Sequence, residues 1–170
     1  MGADRVPFRD GLELGAHVNY PLHGGAYHEA GHAVAAIRRG IAFESVSILP
    51  ERASLGRMVV SVLFAESTSR EELISRCVVA LAGPYAQSMH TAQPLALAST
   101  DRDNVSELLV RRVSTQAERE TLRACIERSA QDLVEAEWPV ITRTAAFLER
   151  YFTLSCDRLI DLLLPAHPQT

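Results

Sequence analysis

The chain has no run approaching the roughly 18 uninterrupted apolar residues that a membrane helix needs. Its first residues, with Asp4, Arg5, Arg9 and Asp10, hold no apolar stretch of the secretory kind. The expectation is a cytoplasmic protein with no membrane segment. A sustained basic block is also missing: the net charge is -4, and the pairs Arg38-Arg39 and Arg111-Arg112 read as helix-surface charges, so no nucleic-acid partner is expected. Cysteine is sparse. Cys77, Cys125 and Cys156 are odd in number, far apart and set in helix-like apolar patterns, which speaks against a disulfide framework or a CxxC metal site and predicts buried free thiols. No internal repeat, low-complexity tract or interdomain linker interrupts the chain.

What is present suits one compact domain. A chain of 170 residues, 47% hydrophobic and 22% charged, can bury roughly 70% of its unfolded surface without help from a disulfide or a metal. Residues 1–23 mix charges with Pro7, Gly11, Gly15 and Pro21 and have no clear period, so they read as an N-terminal arm; the domain proper spans 24–164, and 165–170 form a tail that frays.

The pattern predicts a mainly helical α+β fold. Residues 26–39, AYHEAGHAVAAIRR, read as a helix that follows Gly24-Gly25 and ends on basic Arg38-Arg39, with Gly40 as a left-handed cap. Two β-favouring runs, 45–50 and 56–63, predict a hairpin or short sheet. A helix from the Ser67-Thr68-Ser69 cap to about Met89 carries Leu73, Cys77, Val78 and Leu81 at helical spacing, with Gly83-Pro84 expected to kink or interrupt it. Further helices over 101–113, 116–136, 138–152 and 156–163 predict a C-terminal helical bundle, and Trp138-Pro139 marks the start of one of them.

One motif carries chemistry. His28-Glu29-Ala30-Gly31-His32 is HExxH. On a helix, its histidines at i and i+4 project from one face about 5–6 Å apart at Cβ, so each can give one nitrogen to a tetrahedral zinc. Glu29 lies about 100° round the helix, beside the position a catalytic zinc leaves open for water, where it can act as general base. The small residues Ala30, Gly31, Ala33, Ala35 and Ala36 let this helix lie close to its neighbours. A buried histidine pair with a surface glutamate is the competing structural reading.

A third protein ligand must come from further along, because the extended HExxHxxGxxH pattern is absent: position 35 is Ala and 38 is Arg. Candidates are Glu66, Glu71, Glu72 and the aspartates of the cluster 99–103, Asp101 and Asp103. His17, His23, His90 and His167 lack a helical partner at ligand spacing.

Together YHEAGHAV (27–34), VSILP (46–50), LAGPYAQ (81–87) and DRDNVSELL (101–109) make the chain resemble the FtsH-type (M41) peptidases over about residues 26–160. The resemblance implies a zincin-like HExxH helix backed by a strand and turn, and a later helix that supplies an aspartate as third zinc ligand. By position that aspartate is Asp103, with Asp101 as the alternate. It implies a zinc metalloendopeptidase acting on unfolded or flexible polypeptides, with His28, His32 and Asp103 on the metal and Glu29 as the catalytic base. The chain departs from the family in having Gln87 and Ser88 where a glutamate is usual. It also has no GxxxxGK[ST] loop, so ATP-driven unfolding would have to come from an unfoldase or adaptor in trans. A noncatalytic zinc-binding adaptor that keeps the peptidase fold is the alternative; retention of Glu29, which metal binding alone does not require, speaks against it.

Overall fold

A computed structural model of the chain describes residues 22–49, 57–59, 69–93 and 100–163. In order these form α1 (Leu22–Arg38), β1 (Ser45–Ser47), β2 (Arg57–Val59), α2 (Arg70–Thr91), α3 (Thr100–Arg112), α4 (Gln116–Ala136), α5 (Trp138–Tyr151), β3 (Thr153–Ser155) and α6 (Cys156–Leu163). The fold is predominantly helical with one small antiparallel sheet, ordered β2-β1-β3. Most of the predicted arm and all of the tail lie outside the described residues.

The helix ends follow local chemistry. Helix α1 stops in a Schellman turn: Gly40 has φ +65, the Gly40 N–H bonds the Ile37 carbonyl and the Ile41 N–H the Ala36 carbonyl, as a left-handed glycine allows at little cost. Ser69 caps α2 by accepting from the Glu72 N–H at 3.1 Å, and Thr115 caps α4 by accepting from that of Glu118. The start of α1 differs from expectation. It takes in Gly24 and Gly25, and a Cβ on Gly24 would sit 3.3 Å from the Gln87 amide nitrogen, so tertiary contact overrides the low helix propensity of the pair.

Helix α2 is continuous through Gly83-Pro84, contrary to the expected interruption. A proline restricts its predecessor through that residue's N–H and Cβ, and Gly83 lacks the Cβ, which relieves part of the clash in the helical conformation. The ring of Pro84 is buried and removes one bond, to the Ala80 carbonyl.

Two apolar clusters meet along α2. In the first, the small face of α1, with Ala26, Ala30, Ala33 and Val34 fully buried, packs with Val46 of β1, Ile141, Ala145 and Leu148 of α5, Leu154 of β3 and Leu159 of α6. The second joins Leu73, Cys77, Val78 and Leu81 of α2 to Val105 and Leu109 of α3 and Leu122 and Ile126 of α4. The C-terminal helices therefore do not make a separate bundle: α5 covers α1, and α3 and α4 cover α2. Strand β1 is central, Val46 lying opposite Met58 on one side and Leu154 on the other.

Cys77 is buried as expected, but Cys125 is exposed and Cys156 half-buried. On α4 the buried stripe runs through Leu122, Ile126, Ala130 and Val134, and Cys125 falls about 120° from its centre. Among the described residues, no helix is long and apolar enough to cross a membrane.

Candidate metal centre

The site is built on the antiparallel pairing of α1 with α2. Residues 24, 28 and 32 form one stripe on α1, and 87, 83 and 79 run past it on α2. Gly31 sets the close approach, since a Cβ there would lie 2.5 Å from the Ala82 carbonyl oxygen and 2.8 Å from Ala86 Cβ. Gly83 makes room for a ring: its added Cβ would fall 2.5 Å from Cε1 and 2.7 Å from Cδ2 of His32, and nearer still to Nε2.

In this frame the imidazoles are oriented from behind. His32 Nδ1 donates to the Val79 carbonyl oxygen at 2.8 Å, and His28 Nδ1 donates to the Gln87 side-chain oxygen at 3.1 Å. Both partners are carbonyl-type oxygens that only accept, so each Nδ1 carries a proton, and in the neutral rings each Nε2 is a lone pair turned inwards. The two Nε2 atoms are 3.0 Å apart. Asp101, from the first turn of α3, closes the triangle with Oδ2 3.1 Å from His28 Nε2 and 3.7 Å from His32 Nε2. His28, His32 and Asp101 form a group able to hold a metal ion.

Asp101, not Asp103, is thus brought to the histidines; Asp103 is exposed on α3. Residues two apart lie about 200° round a helix, so only one of the two can face α1. The burial pattern of α3 agrees with this placement: Val105 and Leu109 are its buried stripe, and stepping back four residues from Val105 gives Asp101. Glu71 and Glu72 lie at the other end of α2, about 18 Å along the helix from Gly83, and Glu72 pairs with Arg76. Glu66 falls outside the described residues, as do His17 and His167. His90 stacks on Tyr27, with ring centroids 3.7 Å apart and planes 8° from parallel. Gln87 was legible only as a missing carboxylate, because its contact with His28 depends on the register of two helices.

Three converging acceptors repel one another unless a cation stands among them. A proton meets part of that need: burial of the His32 ring disfavours its charged form, yet the hydrogen bond and charge of Asp101, with Glu29, push its pKa up to about 8. Burial raises the Asp101 carboxyl too, but the hydrogen bonds to His28 and His32 outweigh it and hold that carboxyl well below the usual range. A metal ion meets the need fully. A tetrahedron with the 2.0–2.1 Å bonds of zinc to nitrogen or oxygen has edges of about 3.3–3.4 Å, within the span of the three observed separations.

Glu29 is 6% exposed, and its Oε2 is buried with no hydrogen-bond partner among the described residues. Burial raises its pKa above the ordinary carboxylate value, against the pull of His32 and His28. Two imidazole nitrogens and a carboxylate oxygen within 4.8 Å of one another, with a buried carboxylate in their electrostatic reach, are a donor set that fits a metal centre. No protein-family model and no curated protein matches the chain.

Proposed function

We propose that the chain is a zinc metallopeptidase domain of the FtsH-like type, with His28, His32 and Asp101 as metal ligands and Glu29 as general base. The carrying observation is the convergence of two imidazole nitrogens and a carboxylate oxygen, with the buried Glu29 carboxylate feeling the charge of all three residues. Bound zinc would supply a Lewis acid and lower the pKa of a water to near 7. Glu29 would serve there as the group that holds and moves a proton, and burial, which raises its pKa above the ordinary carboxylate value, suits it to that role. Two neutral imidazoles and one carboxylate leave the centre with net positive charge, which suits an electrophilic role.

Substrates in this reading are unfolded or flexible polypeptides. The 170 residues hold no GxxxxGK[ST] loop, so any force that opens a folded substrate comes from elsewhere. The test is cleavage of an unfolded protein by the zinc-loaded chain, with Glu29→Gln alongside. We expect the variant to keep its zinc and lose on the order of 10²–10⁴-fold in rate. Cleavage that survives Glu29→Gln would overturn the mechanism. Stoichiometric zinc with no cleavage of any polypeptide would replace the peptidase by the adaptor reading.

A further inference from the structure

The two histidines are held differently. His32 is locked by a backbone carbonyl in a buried setting, which no side-chain change can remove. His28 is the more exposed ring of the two, at 21% against 9% for the side chain, and its outer nitrogen meets a side chain, Gln87. Its inner nitrogen faces a competing demand. Asp101 Oδ2, 3.1 Å from Nε2, draws a proton onto the very atom that must be a lone pair to bind metal. An acceptor on Nδ1 draws the proton the other way.

We propose that Gln87 is the positioning residue of this centre: its amide oxygen holds the His28 proton on Nδ1 and turns Nε2 to the metal, and its neutrality keeps metal affinity below what a carboxylate there would confer. The inference rests on the metal-centre reading above. Three features support it. Gln87 lies one helical turn beyond Gly83, so the residue that orients one histidine and the residue that makes room for the other share a face of α2. Gly24 leaves space for its amide, with the nitrogen 3.3 Å from where a Cβ would be. The centre already has one anionic ligand, Asp101, and the buried Glu29 beside it. A carboxylate behind His28 would polarise that ring and strengthen its bond to the ion; an amide orients it with much less polarisation.

The test compares the full chain with Gln87→Glu, Gln87→Ala and Gln87→Met, using zinc alone as the probe. Zinc dissociation constants come from chelator competition, and the His28 Nδ1–H resonance of the zinc-loaded protein comes from NMR. For Ala and Met we expect affinity to fall 10–100-fold and the Nδ1–H signal to lose its hydrogen-bonded shift and exchange protection. Gln87→Glu should restore the signal and bind zinc more tightly than the parent. Because Gln87 is exposed, the thermal midpoints of the metal-free proteins should agree, which separates positioning from general support of the fold. Unchanged affinity and signal in Ala and Met, or a Glu variant as weak as Ala, overturns the role of Gln87 and leaves the metal centre standing. Failure of the parent chain itself to bind zinc overturns both.

Discussion

Substituting Gly83 by alanine sets a gain in helix propensity against a clash at the metal centre. Alanine is better than glycine in a helix interior by about 1 kcal/mol, so α2 alone would be stabilised. The new methyl, however, would lie 2.5 Å from Cε1 of His32, where carbon atoms ordinarily approach to about 3.5–4.0 Å. Either the ring or the helix must give by about 1 Å. Helix α2 cannot easily retreat, because Cys77, Val78 and Leu81 on its other side are packed against α3 and α4. The ring therefore moves, and with it Nε2 and the bond from Nδ1 to Val79. Metal bonds tolerate displacements of about 0.2 Å, so a shift near 1 Å takes His32 out of the coordination sphere. Loss of an outer partner alone costs 10–100-fold in affinity; losing a ligand should cost about 100-fold or more. Overpacking costs of about 1–3 kcal/mol offset the propensity gain, leaving the metal-free variant between unchanged and about 2 kcal/mol less stable. Chelator competition reads the affinity and urea denaturation reads the stability. Zinc affinity equal to that of the parent would refute the placement of His32 against Gly83.

Other outcomes follow from the same geometry. Asp101→Asn should weaken zinc binding by about 100-fold or more, as removal of a charged ligand, and Asp103→Asn should change it less than about twofold, both read by the same competition; the reverse order would return the third ligand to Asp103. In the metal-free protein His32 has a folded pKa of about 8 against an unfolded 6.5. Its contribution, on the order of 2 kcal/mol, is fully present below about pH 6.5 and is lost as pH rises through 8. Urea denaturation at pH 6 and 9 should show that loss, and equal stability at the two pH values would count against the His32–Asp101 pair. Thr144 is 1% exposed and its hydroxyl has no partner among the described residues, so Thr144→Val should stabilise by about 1 kcal/mol and raise the melting temperature by about 2–4 °C. A lower melting temperature would show that the hydroxyl is paired.

The helices and the motif were legible in the sequence because their signals are local. Helix α4 runs over Gln116–Ala136 and α6 over Cys156–Leu163, as spacing predicts. Strand β3 escaped. Only Leu154 of its three residues is buried, and Phe152 just before it takes φ 63, a conformation no aromatic side chain advertises; the strand exists because its backbone pairs with β1. HExxH brings His28 and His32 to one face of α1, since the spacing of one helix fixes them. Which aspartate joins them depends on which side of α3 faces α1: the resemblance pointed to Asp103, whereas the fold brings Asp101 to the histidines. Gln87 lay further out of reach, depending on how two helices align.

That alignment restricts movement as well as placement. Sliding α1 along α2 by one turn, about 5.4 Å, would set His32 against residue 79 or 87 instead of 83, and both carry side chains where the ring needs empty space. Gly31 would at the same time lose the Ala82 carbonyl from its notch. The two glycines act as a steric detent with one rest position, so the helix pair is not a ratchet of the kind that carries switching in other proteins. A centre built on such a pair has two of its three donors set by one helix and its register, while the third comes from α3, which Val105 and Leu109 hold in the second core cluster.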